Sequence, residues 1–78
     1  MSKSVIVYVA DWCPWCHRVT DFLKKHKIKF KECDVDDEKY AEECMKKSGQ
    51  TSIPVIDIDG KILVGFDESK IKEFLKLK

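Results

Sequence analysis

Cys13-Pro14-Trp15-Cys16 sets two thiols three residues apart, directly after the apolar run Val5-Ile6-Val7-Tyr8-Val9. The spacing serves three chemistries. It can begin a zinc site. With His17 it spells C-x-x-C-H, the attachment pattern of c-type haem. Two thiols one helical turn apart can also close a disulfide and reopen it. The setting separates these readings. Pro14 fits the first position of a helix, where its missing N–H would be unpaired anyway. Cys13 then faces the unpaired N–H groups and the positive dipole end of that helix. Both favour thiolate over thiol, and the thiolate is the attacking species in disulfide exchange.

A zinc site needs two more ligands. Cys33 and Cys44 lack paired spacing and fall at inward positions of their elements, where a free cysteine packs as a small hydrophobe. Haem attachment usually implies export. Met1-Ser2-Lys3-Ser4 leads into an apolar run that ends at Ala10-Asp11, too short for a signal segment with its cleavage site. The expected location is therefore cytoplasmic. In a reducing compartment four cysteines point to redox or metal chemistry rather than to structural disulfides. His17 reads as a polar residue of an exposed first turn that adds a little positive potential, with Asp11 opposing it. The redox reading is preferred, with no bound metal.

Those thiols need a scaffold. Seventy-eight residues make one domain, residues 1–78. Fifteen basic against fourteen acidic side chains give a net charge of +1, too weak a field to argue for nucleic acid or a membrane surface. No apolar stretch reaches membrane-spanning length. Val5–Val9 predicts a buried central strand. A helix from Pro14 to about His26 follows, with Trp15, Val19, Phe22 and Leu23 on its inner face, Trp15 reading equally as part of an exposed apolar rim. Residues 28–33 alternate as a second strand. The acids from Asp34 to Asp37 then start a helix that runs to about Lys47, with Tyr40, Ala41, Cys44 and Met45 inside and Gly49 just past its end. Residues 53–58 and Lys61–Val64 predict two strands joined by an Asp59-Gly60 hairpin turn. Asp67 caps a last helix that buries Ile71, Phe74 and Leu75. The order β-α-β-α-β-β-α predicts an α/β fold: a four-stranded mixed sheet with three helices on its two faces, its first βαβ unit parallel and right-handed.

Taken together these residues resemble a glutaredoxin, over essentially the whole chain. The likeness rests on Cys13-Pro14-Trp15-Cys16, where the family usually has tyrosine at position 15, on Thr51-Ser52-Ile53-Pro54 at its Thr-Val-Pro loop, and on Val64-Gly65-Phe66-Asp67 at its Gly-Gly-x-Asp/Ser segment. The resemblance implies the glutaredoxin form of the thioredoxin fold and a dithiol–disulfide oxidoreductase. Cys13 is its implied nucleophile and Cys16 its resolving thiol. Pro14 and Trp15 support the site, and Pro54 lies in cis against the cysteines. Thr51, Ser52, Ile53, Gly65, Phe66 and Asp67 are implied to line the substrate or glutathione site, with the Ile53 backbone pairing an extended substrate. The implied partners are disulfide-containing proteins and either glutathione or a flavoprotein reductase of the thioredoxin-reductase type. No cofactor is held, and a monomer is expected. Two positions depart from glutathione-using relatives: Ala10 stands where many carry lysine, and Val64 replaces the first glycine. Gly65-Phe66 is similar to NrdH-type redoxins, which donate electrons to ribonucleotide reductase. Trp12-Cys13 is similar to the Trp-Cys of thioredoxins. The family also contains modules that bridge a [2Fe–2S] cluster between protomers, usually with a single active-site cysteine, and this is the alternative function.

Overall fold

The computed structural model describes residues 4–50 and 52–76. The elements run β1 (Val5–Val9), α1 (Pro14–Lys25), β2 (Lys31–Asp34), α2 (Glu38–Ser48), β3 (Val55–Ile58), β4 (Lys61–Val64) and α3 (Glu68–Leu75). The strands form one sheet in the order β2-β1-β3-β4. β1 pairs parallel with β2, while β3 runs antiparallel to both β1 and β4. This is the expected mixed sheet, with β1 at its centre.

Strand alternation sorts the core into two layers. Val5, Val7 and Val9 point to one face together with Ile56 and Ile58, and α1 and α3 cover them with Val19, Phe22, Leu23 and Ile71. Tyr8, Cys33 and Val55 point to the other face, where α2 supplies Cys44. The two helices on the first face thus share a layer that α2 never enters.

Some boundaries differ from expectation. β2 starts at Lys31, not Ile28. Lys27 has a positive φ of 57°, and Ile28 N–H donates to Leu23 O at 2.9 Å, so the turn closing α1 holds the chain that far. The parallel pairing then spans only Ile6–Val9 against Lys31–Asp34. β3 starts at Val55, because Pro54 has no N–H to give the ladder. α1 ends at Lys25, with His26 as its cap. One inner-face assignment fails, that of Met45, and Trp15 stands open as an exposed apolar rim would. Trp15 is 55% exposed and Met45 50% exposed. In α1 the inward position one turn from Val19 and Thr20 goes to Cys16, and in α2 only Cys44 is buried.

Polar residues key α2 to the sheet. Tyr8 Oη donates to Glu43 Oε1 at 2.9 Å. Lys47 Nζ pairs with Asp57 Oδ2 at 2.8 Å and with Glu43 Oε1 at 3.5 Å. The other Asp57 oxygen accepts Gly60 N–H at 2.7 Å. The group of four therefore ties β1, β3, the hairpin turn and α2 together. Among the described residues no buried side-chain nitrogen or oxygen lacks a partner.

Candidate active site

The chain leaves the centre of the sheet at Val9 and turns at once, with Cys13 N–H donating to Ala10 O at 3.1 Å. Cys13 is the N-cap of α1, with Pro14 directly after it. Its Sγ accepts the backbone N–H of Cys16 at 3.2 Å. This is a capping bond with sulfur in the place of the usual side-chain oxygen. It delivers a donor to the atom that would carry the charge of a thiolate. His17 N–H donates to Cys13 O at 3.3 Å, so the first turn closes on the same residue.

The two sulfurs differ in their surroundings. Cys13 is 6% exposed and Cys16 1%. Burial pushes the Cys16 thiol up to about 12. The hydrogen bond and the charge shared with Cys13 act in the same direction, and a backbone bond to Ala10 opposes them. Cys16 is thus held as a thiol beneath Cys13. All four cysteines are free. Cys33 and Cys44 lie in the layer under α2, separated by the sheet from Cys13 and Cys16. Burial also raises both of their pKa values. Among the described residues no group of three His, Cys, Asp or Glu is placed to hold a metal ion.

The loop before β3 meets this turn. The Ile53–Pro54 peptide bond is cis, and Pro54 is buried. Trp15, Ile53, Pro54, Gly65 and Phe66 line one open cavity of about 240 Å³. Three residues expected to form the substrate site, Ile53, Gly65 and Phe66, are therefore neighbours in space of the supporting Trp15 and Pro54. Gly65 N–H donates to Pro54 O at 2.7 Å, which fastens the end of β4 to the proline. Gly65 has φ 84°, a conformation that a side chain would strain although open space surrounds its Cα. Phe66 is held by an edge-on contact with Phe22, ring centroids 5.9 Å apart. Among the described residues neither the N–H nor the C=O of Ile53 has a hydrogen-bond partner.

The remaining expected residues sit at the margins. Asp67 caps α3, with Oδ1 accepting Lys70 N–H at 3.2 Å. Ser52 is exposed. Thr51 lies outside the described residues. Ala10 is buried and brings no cation to the site, and Val64 is half-exposed beside the cavity wall rather than part of it. His17 Nε2 bonds to Asp11 O at 2.7 Å. Two contributors were missed from sequence. Gln50 braces the loop, donating from Nε2 to Ser48 Oγ and Ser52 O and accepting Ser52 N–H at Oε1. Arg18 lays its guanidinium over the Trp15 ring, 4.7 Å from its centroid. The i, i+3 spacing of Trp15 and Arg18 was the available signal for the second. A polar residue after Gly49 gave none for the first.

The glutaredoxin family model matches residues 5–63, from β1 into β4. The chain belongs to the glutaredoxin family. It is 39% identical over 71 residues to an uncharacterized glutaredoxin-like 8.6 kDa protein in the rubredoxin operon of Clostridium pasteurianum, covering 90% of this chain and 95% of that one. It is 35% identical over 66 residues to glutaredoxin 3 of Escherichia coli K12, covering 83% and 80%. In three dimensions it is similar to a glutaredoxin from Archaeoglobus fulgidus, with a TM-score of 0.86 and 30% identity over 95% of this chain and 87% of that one. As a glutaredoxin it is a redox protein of thioredoxin-like fold. The cysteine pair follows β1, the cis-proline precedes β3 and the β4–α3 turn follows β4, all at the same end of the sheet.

Proposed function

We propose that this glutaredoxin is a dithiol–disulfide oxidoreductase with Cys13 as nucleophile and Cys16 as resolving thiol. The observation that carries this reading is the cap itself: Cys13 Sγ accepts the Cys16 N–H at a helix N-terminus, while burial keeps Cys16 protonated below it. The Cys13 thiolate attacks one sulfur of a target disulfide. A Cys13–target disulfide forms, and the other target sulfur leaves as thiolate. Cys16 gives up its proton and attacks Cys13 Sγ. The second target sulfur departs with the bonding pair, and the Cys13–Cys16 disulfide closes. Two electrons have moved from the dithiol to the target. The cavity beside Trp15, Pro54 and Phe66 would seat the target half bonded to Cys13, and the free Ile53 backbone would pair with an extended segment.

Cys13→Ser is expected to abolish reduction of a small mixed disulfide. Cys16→Ser is expected to accumulate a covalent Cys13–target adduct visible by mass spectrometry. Dithiol activity surviving in Cys13→Ser would show the roles to be wrong.

The reductant is proposed at the level of class: glutathione or a flavoprotein reductase. Asp67 keeps one carboxylate oxygen for a substrate amine, which supports glutathione. The absence of a cation at Ala10 supports the reductase, as does the Gly65-Phe66 pair, which would also suit delivery of electrons to ribonucleotide reductase. NADPH oxidation decides between them when the oxidised protein is supplied with glutathione and its reductase in one arm and thioredoxin reductase in the other. Turnover is expected in one arm only. The target proteins are proposed to be cytoplasmic, and the enzyme a monomer. Among the described residues no helix is long and apolar enough to cross a membrane.

A further inference from the structure

A second concavity lies between Trp12 and α2. It encloses about 230 Å³ and is lined by apolar Trp12, Val35, Ala41, Met45 and Ile53 together with Cys44 and the polar Asp36 and Gln50. Sites that enclose whole small molecules run to roughly 300–1,000 Å³, so this one suits a single apolar side chain. Two large apolar groups stand open around it, Trp12 at 68% and Met45 at 50% exposure. Singly exposed apolar residues need no explanation, but two facing one hollow form a patch. Trp12 is not loose, since its Nε1–H donates to Asp36 Oδ1 at 3.3 Å.

Position links this hollow to the reaction. Trp12 directly precedes Cys13, and Ile53 directly precedes the cis-proline. Ile53 walls both this hollow and the cavity that holds Trp15, Pro54, Gly65 and Phe66. Among the described residues its backbone has no hydrogen-bond partner. A strand that pairs there would offer alternate side chains to opposite sides.

Charge identifies the occupant. Asp11, Asp34, Asp36 and Asp37 lie on the segments that flank Trp12, and Glu38 and Glu42 neighbour Ala41 and Met45 by their i, i+3 spacing. Among the described residues none of these carboxylates forms an ion pair. Lys46, next to Met45, is the opposing charge, and Lys39 lies over the Tyr40 ring. We propose that this hollow docks an apolar side chain of an extended, basic polypeptide. Its part in choosing disulfide targets rests on the dithiol reading above.

Two measurements test this. In the first, the reduced protein is titrated with a ten-residue Lys-rich peptide containing one leucine and serine in place of cysteine. The methyl resonances of Ala41, Met45 and Ile53 are followed by NMR. They are expected to shift with that peptide, and far less when alanine replaces the leucine or glutamates replace the lysines. Absence of shifts, or equal shifts with all three peptides, would overturn the proposal. So would concentration-dependent dimers seen by sedimentation with this face buried, because a second copy would then be the occupant. This measurement does not depend on catalysis. In the second, kcat/KM is compared for a basic peptide and for 2-mercaptoethanol, each joined by a disulfide to 2-nitro-5-thiobenzoate. Met45→Gln is expected to lower the peptide value by about tenfold, as removal of apolar contact from a side-chain pocket does, and to leave the small substrate unchanged. Asp36→Asn keeps an acceptor for the Trp12 indole and is expected to weaken the peptide's salt dependence. Parallel loss on both substrates would overturn the docking role. Failure of the wild type on both substrates would overturn the dithiol reading instead, and the NMR titration would still decide the docking site.

Discussion

Cys13 and Cys16 are separated by one helical turn, and their difference comes from burial and hydrogen bonding rather than from residue type. The Cys13 sulfur receives the Cys16 N–H. The Cys16 sulfur receives burial, which raises its pKa to about 12. An acid held that high keeps its proton throughout the neutral range, so Cys16 is expected to resist iodoacetamide. In Cys13→Ser, alkylation of Cys16 should be slow at pH 7 and keep rising with pH well past the free-thiol value of about 8.5, because burial is the largest cause of the shift and survives that substitution. Cys16→Ser, which keeps the more exposed sulfur, should be alkylated faster at pH 7 than Cys13→Ser. Equal rates for the two variants at pH 7 would remove the distinction between nucleophile and resolving thiol. The sequence supplied the spacing and the N-cap position of Cys13. The burial of Cys16 was not legible there, because it depends on α1 packing against the sheet in the layer they share.

At the scale of the element, α3 shows how little holds a short helix. It has eight residues, one fully buried side chain, Ile71, and a capping aspartate. Asp67→Ala is expected to cost about 1 kcal/mol in a urea titration, with Asp67→Asn near neutral because asparagine caps as well. If glutathione is the reductant, Asp67→Asn should nonetheless raise its KM, since the charge is gone while the cap remains. An Asp67→Asn protein that loses as much stability as Asp67→Ala would show that the charge, not the cap, holds α3. Ile71→Ala removes the anchor itself and is expected to cost about 2–5 kcal/mol. The α3 cap and the Asp59-Gly60 turn were legible because both are local chemistry. The starts of β2 and β3 were not. One is delayed by the closing turn of α1 and the other by a proline that cannot enter the ladder.

For the whole molecule, the group of Tyr8, Glu43, Lys47 and Asp57 joins three elements and sets how stability responds to pH. Burial raises Tyr8 from 10.0 to about 12. Lys47 is also raised, by its bonds to Asp57 and Tyr8 against the opposing effect of burial. A group raised in the folded state stabilises fully below its unfolded pKa, and that contribution is lost as pH climbs through the folded value. Glu43 has the opposite sign. Tyr8 and Lys47 lower it from 4.5, so its contribution is present above that value and fades as pH falls. The reduced protein is therefore expected to be most stable between about pH 5 and 8, since the buried thiols begin to titrate unfavourably near their free value of about 8.5. Tyr8→Phe should lose about 1 kcal/mol at pH 7 for the missing hydrogen bond and show a shallower decline between pH 10 and 12. An unchanged slope in urea midpoints across that window would refute the assignment to Tyr8.

The order of elements, the mixed sheet with helices on both faces and the N-cap position of Cys13 were written into the sequence. They follow from periodicity, caps and spacing, which act between near neighbours in the chain. Met45 was misplaced, and the exposure of Trp15 was not settled, because helical spacing names a face but not where that face outruns the sheet beneath it. The hollow between Trp12 and α2 was invisible for the same reason, since its walls come from four separate segments. What Cys13-Pro14-Trp15-Cys16 can react with was local information. Only the tertiary structure decided which surfaces flank that reaction, because a surface exists only once distant segments have packed and left some side chains uncovered.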